Sequence, residues 1–546
     1  MLLLNTILVT ILVYNSHQDD TTKSQNGAMN TSTASTTTNK PISPVTTSVF
    51  PKLTDLFTMS PFFRDMTLPT IAPDASKSTI FPTLPSNLNP FPVTPFPKLE
   101  SLNLANLTPV ALPNLPNLFD MKSVALPPMP KMEDVQMNIS INPESLMDVP
   151  EIVRHWGYPI ETYEVLTEDE YILTLHRIPH GRSGSKNKDK PVVFLQHGLL
   201  CTSSIWLLNL PHQSPGFIFA DKGYDVWLGN MRGNTYSKSH LKMSSRNPNY
   251  WRFSWDEMAK YDIPAMINFV LKTTKQKHLY YVGHSQGALT MFAKLSRDQS
   301  FAKKVRKFFA MAPVYRMESV KGLFHYLGET YEQFSLFYNI FGDGEFLSNN
   351  LFTKLMTDII CGDKKGSPLC ENFIFSASGP DSNQFNSSRI GIYLAHNPAG
   401  TSSRNMLHFA QMVKTHRMAN FITNQYKIHD YDLSRVKVPL TIFYSNNDWL
   451  ASAADVEKYL LPSLPESSIK DIVKLKDFNH NDFLWGLRAR GEIYDKILDT
   501  IELDVKRLDI QKQLLDYFKK NATKSKILER IRPTIIKQLS GTIDWD

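Results

Sequence analysis

Three residues of this chain could do nucleophilic chemistry together: Ser285, Asp448 and His480. Ser285 stands in "LYYVGHSQGALTMF", Leu279 to Phe292, between two glycines and directly after an apolar, β-prone run. Gly-x-Ser-x-Gly is a short pattern that a chain of 546 residues can contain by chance, and a small residue in an ordinary loop is the plain alternative. Asp448 lies in "FYSNNDWL" and His480 in "LKDFNHNDFLWG", each shortly after an apolar run. A serine hydroxyl is a weak nucleophile at neutral pH and needs a base to take its proton as it attacks a carbonyl. His480 would accept that proton and deliver it to the leaving group, while Asp448 would hold the imidazole tautomer and stabilise the imidazolium. The developing oxyanion needs two donors. The backbone N–H of Gln286 supplies one, and Leu199 N–H in "QHGLLCTSS", Gln196 to Ser204, supplies the other, with Gly198 letting the backbone turn. His197 or His396 stays open as the base, and Asp455 or Asp477 as the acid. The side chains of His284 and Gln286 need no catalytic role, and Cys201 reads as a small buried residue rather than a reactive thiol.

These groups need a scaffold. "ETYEVL" and "YILTLHRI" alternate around the polar turn "TEDE" and predict an antiparallel hairpin. A rhythm of buried strand and amphipathic helix follows. Strands are expected at Pro191–Gln196, Tyr224–Asn230, Leu279–Val282, Lys307–Ala312, Pro439–Ser445 and Asp471–Leu475. That alternation predicts an α/β fold, a mostly parallel sheet with helices on both faces. Ser285, Asp448 and His480 then fall beyond strand C-termini, where reactive groups gather in such sheets, in the chain order Ser, Asp, His. From about residue 313 to 426 the rhythm fails, and an aromatic, irregular segment reads as an inserted cap.

The chain divides by composition. Residues 1–16 carry an apolar run too short to cross a bilayer and read as a signal peptide, although no Lys or Arg precedes it. Residues 17–147 are Ser/Thr-rich and then Pro-punctuated, which excludes persistent helix or central strand and predicts a disordered arm. Residues 148–508 form the catalytic domain, and residues 509–546 a basic amphipathic helical tail expected to pack on it, with attachment to a membrane surface as the alternative. The net charge of +7 is modest for this length. "KNKDK", Lys186 to Lys190, reads as a hairpin tip and "KKVRK", Lys303 to Lys307, as a helix end, so no nucleic-acid partner is expected. No zinc-type His/Cys spacing and no Gly-rich phosphate or dinucleotide loop occurs, so neither metal nor cofactor is expected, and no transmembrane span. In an oxidising compartment Cys361 and Cys370 could close a small loop, leaving Cys201 unpaired. Sequons at Asn30, Asn138, Asn386 and Asn521 are compatible with secretion.

The chain resembles the acid lipase family of the α/β-hydrolase superfamily, which includes lysosomal acid lipase and gastric lipase. "PEIVRHWGYPIETYEVLTEDEYILTLHRIPHGR", "VVFLQHGLL", "GNMRGNTYS", "FSWDEMAKYDIPAMI", "GHSQG", "HNPAGTSSRNMLHFAQ" and "FNHNDFLWG" are similar to the family's blocks, in the family's order, from about Val149 to Leu498. The resemblance implies an α/β-hydrolase fold with a cap and lid. It places the nucleophile on Ser285, the acid on Asp448, the base on His480 and the oxyanion donors on Leu199 and Gln286. It also implies a Cys361–Cys370 cap disulfide and a glycosylation site at Asn386. Hydrolysis of neutral lipid esters at a lipid–water interface follows as the expected activity, without metal or colipase, in the lysosome or outside the cell. A short-chain esterase or thioesterase, or a lipid-binding protein without turnover, is the alternative. Met231 and Tyr236 stand where the family usually has Ser and Trp, and "SNNDWLA" replaces a more glycine-rich turn, which puts substrate preference in doubt.

Overall fold

The structure, a computed structural model, describes residues 142–184, 190–349, 374–422 and 428–521. The expected leader, most of the arm, Cys361, Cys370, Asn30, Asn138 and the end of the tail lie outside the described residues.

Strands β1 (Glu161–Leu166) and β2 (Tyr171–Ile178) form the antiparallel pair that their alternation predicts. They are followed by β3 (Val192–Gln196), β4 (Asp225–Gly229), β5 (Ser239–His240), β6 (Leu279–His284) and β7 (Val305–Met311). Two short strands, β8 (Glu345–Phe346) and β9 (Thr401–Ser402), pair apart from the main sheet. The last two are β10 (Leu440–Ser445) and β11 (Ile469–Leu475). The main sheet runs β1-β2-β4-β3-β6-β7-β10-β11, with β5 added to β2. From β4 to β11 every neighbouring pair is parallel. Strands β3, β4, β6 and β10 are buried at every position. Helices cover both faces of such a sheet, which is why these strands read as unbroken apolar runs. Ser285 follows β6 in mid-sheet, Gly198 follows β3, Asp448 follows β10 and His480 follows β11, all at one edge of the parallel strands.

Several boundaries differ from expectation. Strand β6 runs two residues past Val282 and takes in His284, which pairs in register with Met311. Most of "KNKDK" lies outside the described residues, and the strands on either side of it, β2 and β3, are not neighbours, because β4 lies between them. "KKVRK" is split: Lys303 and Lys304 end a short helix at Ser300–Lys304, and Arg306 and Lys307 belong to β7. Ordered structure begins before Asp148, with helix Pro143–Leu146 capped by Asn142. Glu144 in that helix is buried in a two-bond ion pair with Arg389, at 3.0 and 2.7 Å, which ties the segment to the insertion between β7 and β10.

That insertion contains helices Gly322–Glu329, Tyr331–Phe341, Ile390–His396 and Ser403–Thr415. It has a small core of its own, Leu327, Phe334, Phe346, Met406, Leu407 and Ala410. A Cβ at Gly328 would sit 2.2 Å from Val413 Cγ1, so only glycine lets helix Gly322–Glu329 cross helix Ser403–Thr415 this closely.

The tail reading needs correction. One helix, Asp495–Asn521, runs through position 509 without a break. Ile497, Leu498 and Ile501 are buried, but Leu503, Ile510 and Leu514 are between 41% and 68% exposed, so at these described positions the apolar stripe is not packed on the domain. What pins the helix is Asp504, which accepts from Arg306 Nε at 2.8 Å and Tyr280 Oη at 3.0 Å. Arg306 and Asp504 are 4% and 2% exposed. Asp504→Ala strands a buried guanidinium and should lower unfolding stability in urea by about 3–5 kcal/mol. Glu502→Ala, which breaks the exposed pair with Lys506, should leave the unfolding midpoint unchanged.

Candidate active site

Ser285 adopts φ +53° and ψ −118°, a backbone region that non-glycine residues occupy only under constraint. The constraint is visible in its hydrogen bonds. Ser285 N–H donates to Met311 O on β7 at 3.0 Å, and Ser285 O accepts from Ala288 and Leu289 N–H at 3.0 Å, opening helix Gln286–Arg297. The two motif glycines permit the turn. A Cβ at Gly287 would lie 2.3 Å from Gln196 O, and one at Gly283 would lie 2.8 Å from the Gly287 backbone. Tyr281 Oη donates to Gly287 O at 2.8 Å and fixes the first turn of the helix from below.

His480 Nδ1 lies 3.0 and 2.8 Å from the two carboxylate oxygens of Asp448. A carboxylate beside Nδ1 holds the proton on that nitrogen and leaves Nε2 as the ring's basic atom. Asp448 Oδ1 also accepts from Leu450 and Ala451 N–H, both at 2.8 Å, so the orientation of the carboxylate is set by the turn after β10. The His480 loop is held by a reciprocal pair. Asn479 N–H donates to Asp482 Oδ2 at 2.7 Å, and Asn479 Oδ1 accepts from Asn481 and Asp482 N–H at 3.0 and 3.1 Å. His480 N–H donates to Ser378 O at 3.0 Å.

Ser285 and His480 line one cavity of about 120 Å³, walled by apolar Leu199, Leu200, Val314, Met317, Phe324 and Phe409. Phe324 and Phe409 come from the segment between β7 and β10 that reads in the sequence as an inserted cap. Gly198 brings the β3 loop against Ser285: a Cβ there would meet Ser285 Cβ at 3.0 Å and His284 Nδ1 at 3.2 Å. Leu199 therefore sits beside Ser285, and Gln286 heads the helix after it. The Gln286 side chain is turned away, accepting from Asn405 Nδ2 of the cap at 2.8 Å. Cys201 also lines the cavity, and burial pushes its thiol up to about 12, so it stays protonated.

The other candidates are engaged elsewhere. His197 Nε2 accepts from Met231 N–H at 3.1 Å and Nδ1 bonds Gly198 O at 2.8 Å, and burial drives its pKa down to about 4. His396 Nε2 bonds Glu144 O at 2.8 Å in the cap. Asp455 accepts from Ser319 N–H, and Asp477 pairs with Arg488 at the surface. A second serine–histidine pair, His176 Nδ1 and Ser203 Oγ at 2.8 Å, is buried with Asn230; burial pushes His176 down to about 3. Met231 and Tyr236 do not line the cavity: Met231 is buried at His197, and Tyr236 Oη accepts from Val149 N–H at 2.9 Å. Asn386, half-buried, accepts from Ser388 Oγ, and Asn521 is the last described residue. Among the described residues no cluster of three or more His, Cys, Asp or Glu could hold a metal ion. None of their helices is long and apolar enough to cross a membrane. Sequence reading missed Asn405 and the Asn479–Asp482 pair, although the three-residue Asn/Asp spacing in "NHND" is a capping signal.

Comparison with known proteins agrees with this arrangement of strands and loops. Family models described as a partial alpha/beta-hydrolase lipase region and as the alpha/beta hydrolase fold match residues 149–210 and 191–487. The chain is 45% identical over 378 residues to lipase lipl-1 of Caenorhabditis elegans, covering 67% of this chain and 93% of that one. It is 42% identical over 376 residues to human gastric triacylglycerol lipase, covering 67% and 93%. It is 41% identical over 377 residues to the lysosomal acid lipase/cholesteryl ester hydrolase of Macaca fascicularis, covering 66% and 92%.

Burial raises the Asp482 carboxyl from its ordinary 3.8 to about 7, against the lowering effect of the hydrogen bond from Asn479 N–H. The native state therefore holds a proton that the unfolded chain releases at lower pH. Its stabilising contribution is full below about pH 4 and is lost as pH rises through 7. Asp482→Asn keeps the acceptor without the charge. Its melting temperature should match that of the natural protein near pH 4 and exceed it by a few degrees near pH 8; a pH-independent difference would contradict this.

Proposed function

The chain belongs to the lipase family of the α/β-hydrolase fold, and on that premise we propose that it is a serine hydrolase of neutral lipid esters, triacylglycerols or sterol esters. The observation that carries the reading is the Asp448–His480 hydrogen-bonded pair next to Ser285 in an apolar, cap-covered cavity. Ser285 is the nucleophile. His480 Nε2 takes its proton as Oγ attacks the ester carbonyl, and Asp448, bonded to Nδ1, stabilises the imidazolium. The carbonyl oxygen, now anionic, is met by the N–H groups of Leu199 and Gln286, assisted by the positive end of helix Gln286–Arg297. His480 then protonates the departing alkoxide, giving the free alcohol and an acyl ester on Ser285. Water, deprotonated by His480, attacks that ester, and the proton returns to Oγ as the fatty acid leaves.

Water exclusion suits this chemistry. Ser285, Asp448 and His480 are all at most 5% exposed, so developing charge acts in a medium of low dielectric. A cavity of about 120 Å³ is small beside the roughly 300–1,000 Å³ of typical ligand sites, so a long acyl chain enters by displacing the cap residues Phe324 and Phe409.

The gastric and lysosomal relatives support placement in the secretory pathway, acting in the lysosome or outside the cell. Residues 1–16 then serve as signal peptide and residues 17–147 as an arm preceding the catalytic domain. Cys361 and Cys370 form the cap disulfide, and Asn386 is the first candidate for glycosylation, with Asn30, Asn138 and Asn521 as further acceptors.

The test is hydrolysis of emulsified triolein and cholesteryl oleate from about pH 4 to about pH 8, with Ser285→Ala beside the natural protein. The natural protein should release oleate from at least one emulsion, and Ser285→Ala should lose about 10⁴-fold or more of that rate. Turnover confined to soluble short-chain esters would overturn the lipid assignment.

A further inference from the structure

His284 precedes the nucleophile and closes strand β6, 2% exposed. Its Nε2 lies 3.0 Å from the main-chain oxygen of His480. A carbonyl only accepts, so Nε2 carries the proton and Nδ1 is bare. Nδ1 is buried and has no hydrogen-bond partner among the described residues. Pure packing would favour an apolar ring here, since a buried acceptor without a partner costs stability.

The remaining bonds of the His480 loop run elsewhere. His480 N–H goes to Ser378, its ring to Asp448, and Asn479 and Asp482 bond each other. The sheet edge under this loop is β11, three strands from β6. The Nε2–H···O bond of His284 joins the base's main chain directly to the residue beside the nucleophile. Resting on the reading of Ser285 and His480 as nucleophile and base, we propose that His284 is a positioning residue, whose Nε2–H sets the place of His480 relative to Ser285.

The choice of side chain fits that task. The His284 and His480 rings are 4.8 Å apart, tilted by 46°. Burial and the neighbouring His480 hold His284 well below the ordinary histidine range, so it stays neutral when His480 becomes an imidazolium. A permanently charged donor at this position would oppose that charge. Gly198 completes the arrangement, because any larger residue there would press on both Nδ1 and Ser285 Cβ.

Three variants separate positioning from packing, read by kcat and KM on soluble p-nitrophenyl butyrate with melting temperature alongside. His284→Phe keeps a ring but lacks the donor. His284→Gln carries an amide N–H at the reach of Nε2, and His284→Asn carries one too short to reach. The expected result is kcat lowered about 10–100-fold in His284→Phe and His284→Asn with KM unchanged, and kcat within about threefold of natural in His284→Gln, since misplacement by about 1 Å costs up to about 10²-fold. Should His284→Phe not fold, the Gln and Asn pair carries the same contrast. Full activity in His284→Phe or His284→Asn, or equal impairment in Gln and Asn, overturns the proposal. Ser285→Ala run beside them keeps the two readings apart. An inactive Ser285→Ala with a fully active His284→Phe removes only the positioning role, whereas an active Ser285→Ala removes the nucleophile and this proposal with it.

Discussion

A serine held at φ +53° must be over-determined by its surroundings, and much of the molecule converges on that requirement at Ser285. Strand β7 takes its N–H, helix Gln286–Arg297 takes its carbonyl, and Gly283 and Gly287 let helix, β6 and β3 approach within contact. The same closeness forces glycine at 198 and so lays Leu199 beside Ser285. The elbow therefore aims Oγ and also fixes where the β3 loop can go. A larger residue at any of the three glycines would meet backbone or the reacting side chain itself.

Around the elbow the polar interior is paired rather than avoided. Arg232, 1% exposed, is held by Asp262 and Asp169 and lies over the Tyr171 ring. Arg306 and Asp504 tie the last helix to the sheet, and Glu144 and Arg389 tie the first helix to the cap. Such pairs add little net stability, yet losing one partner strands a buried charge. They make the cap and both ends of the domain part of one body with the site. The cap reaches the elbow as well, through Asn405 and the Gln286 side chain.

What could be read in the sequence follows the range of the forces involved. Buried parallel strands announce themselves as apolar runs, so β3, β6 and β10 were legible, as was the Ser, Asp, His order beyond them. Contacts between distant segments were not. Glu144 falls in the stretch that reads as a disordered arm until Arg389, far along the chain, is brought against it. "KNKDK" reads as a hairpin tip because local pattern cannot tell that β4 inserts between β2 and β3. Ile510 and Leu514 have helical spacing, but spacing does not say whether anything lies opposite them, and they are exposed. His284 looked like scaffold for the same reason: its partner is a main-chain oxygen nearly two hundred residues away.

Ser285, and not another serine beside a histidine, is proposed to form the covalent intermediate. The molecule contains its own competitor in Ser203, bonded to His176. Labelling the active protein with a fluorophosphonate and mapping the adduct by peptide mass spectrometry decides between them. A single phosphonylated peptide, the one bearing Ser285, is the expected result. An adduct on the peptide bearing Ser203, or full loss of activity with Ser285 unmodified, would contradict it.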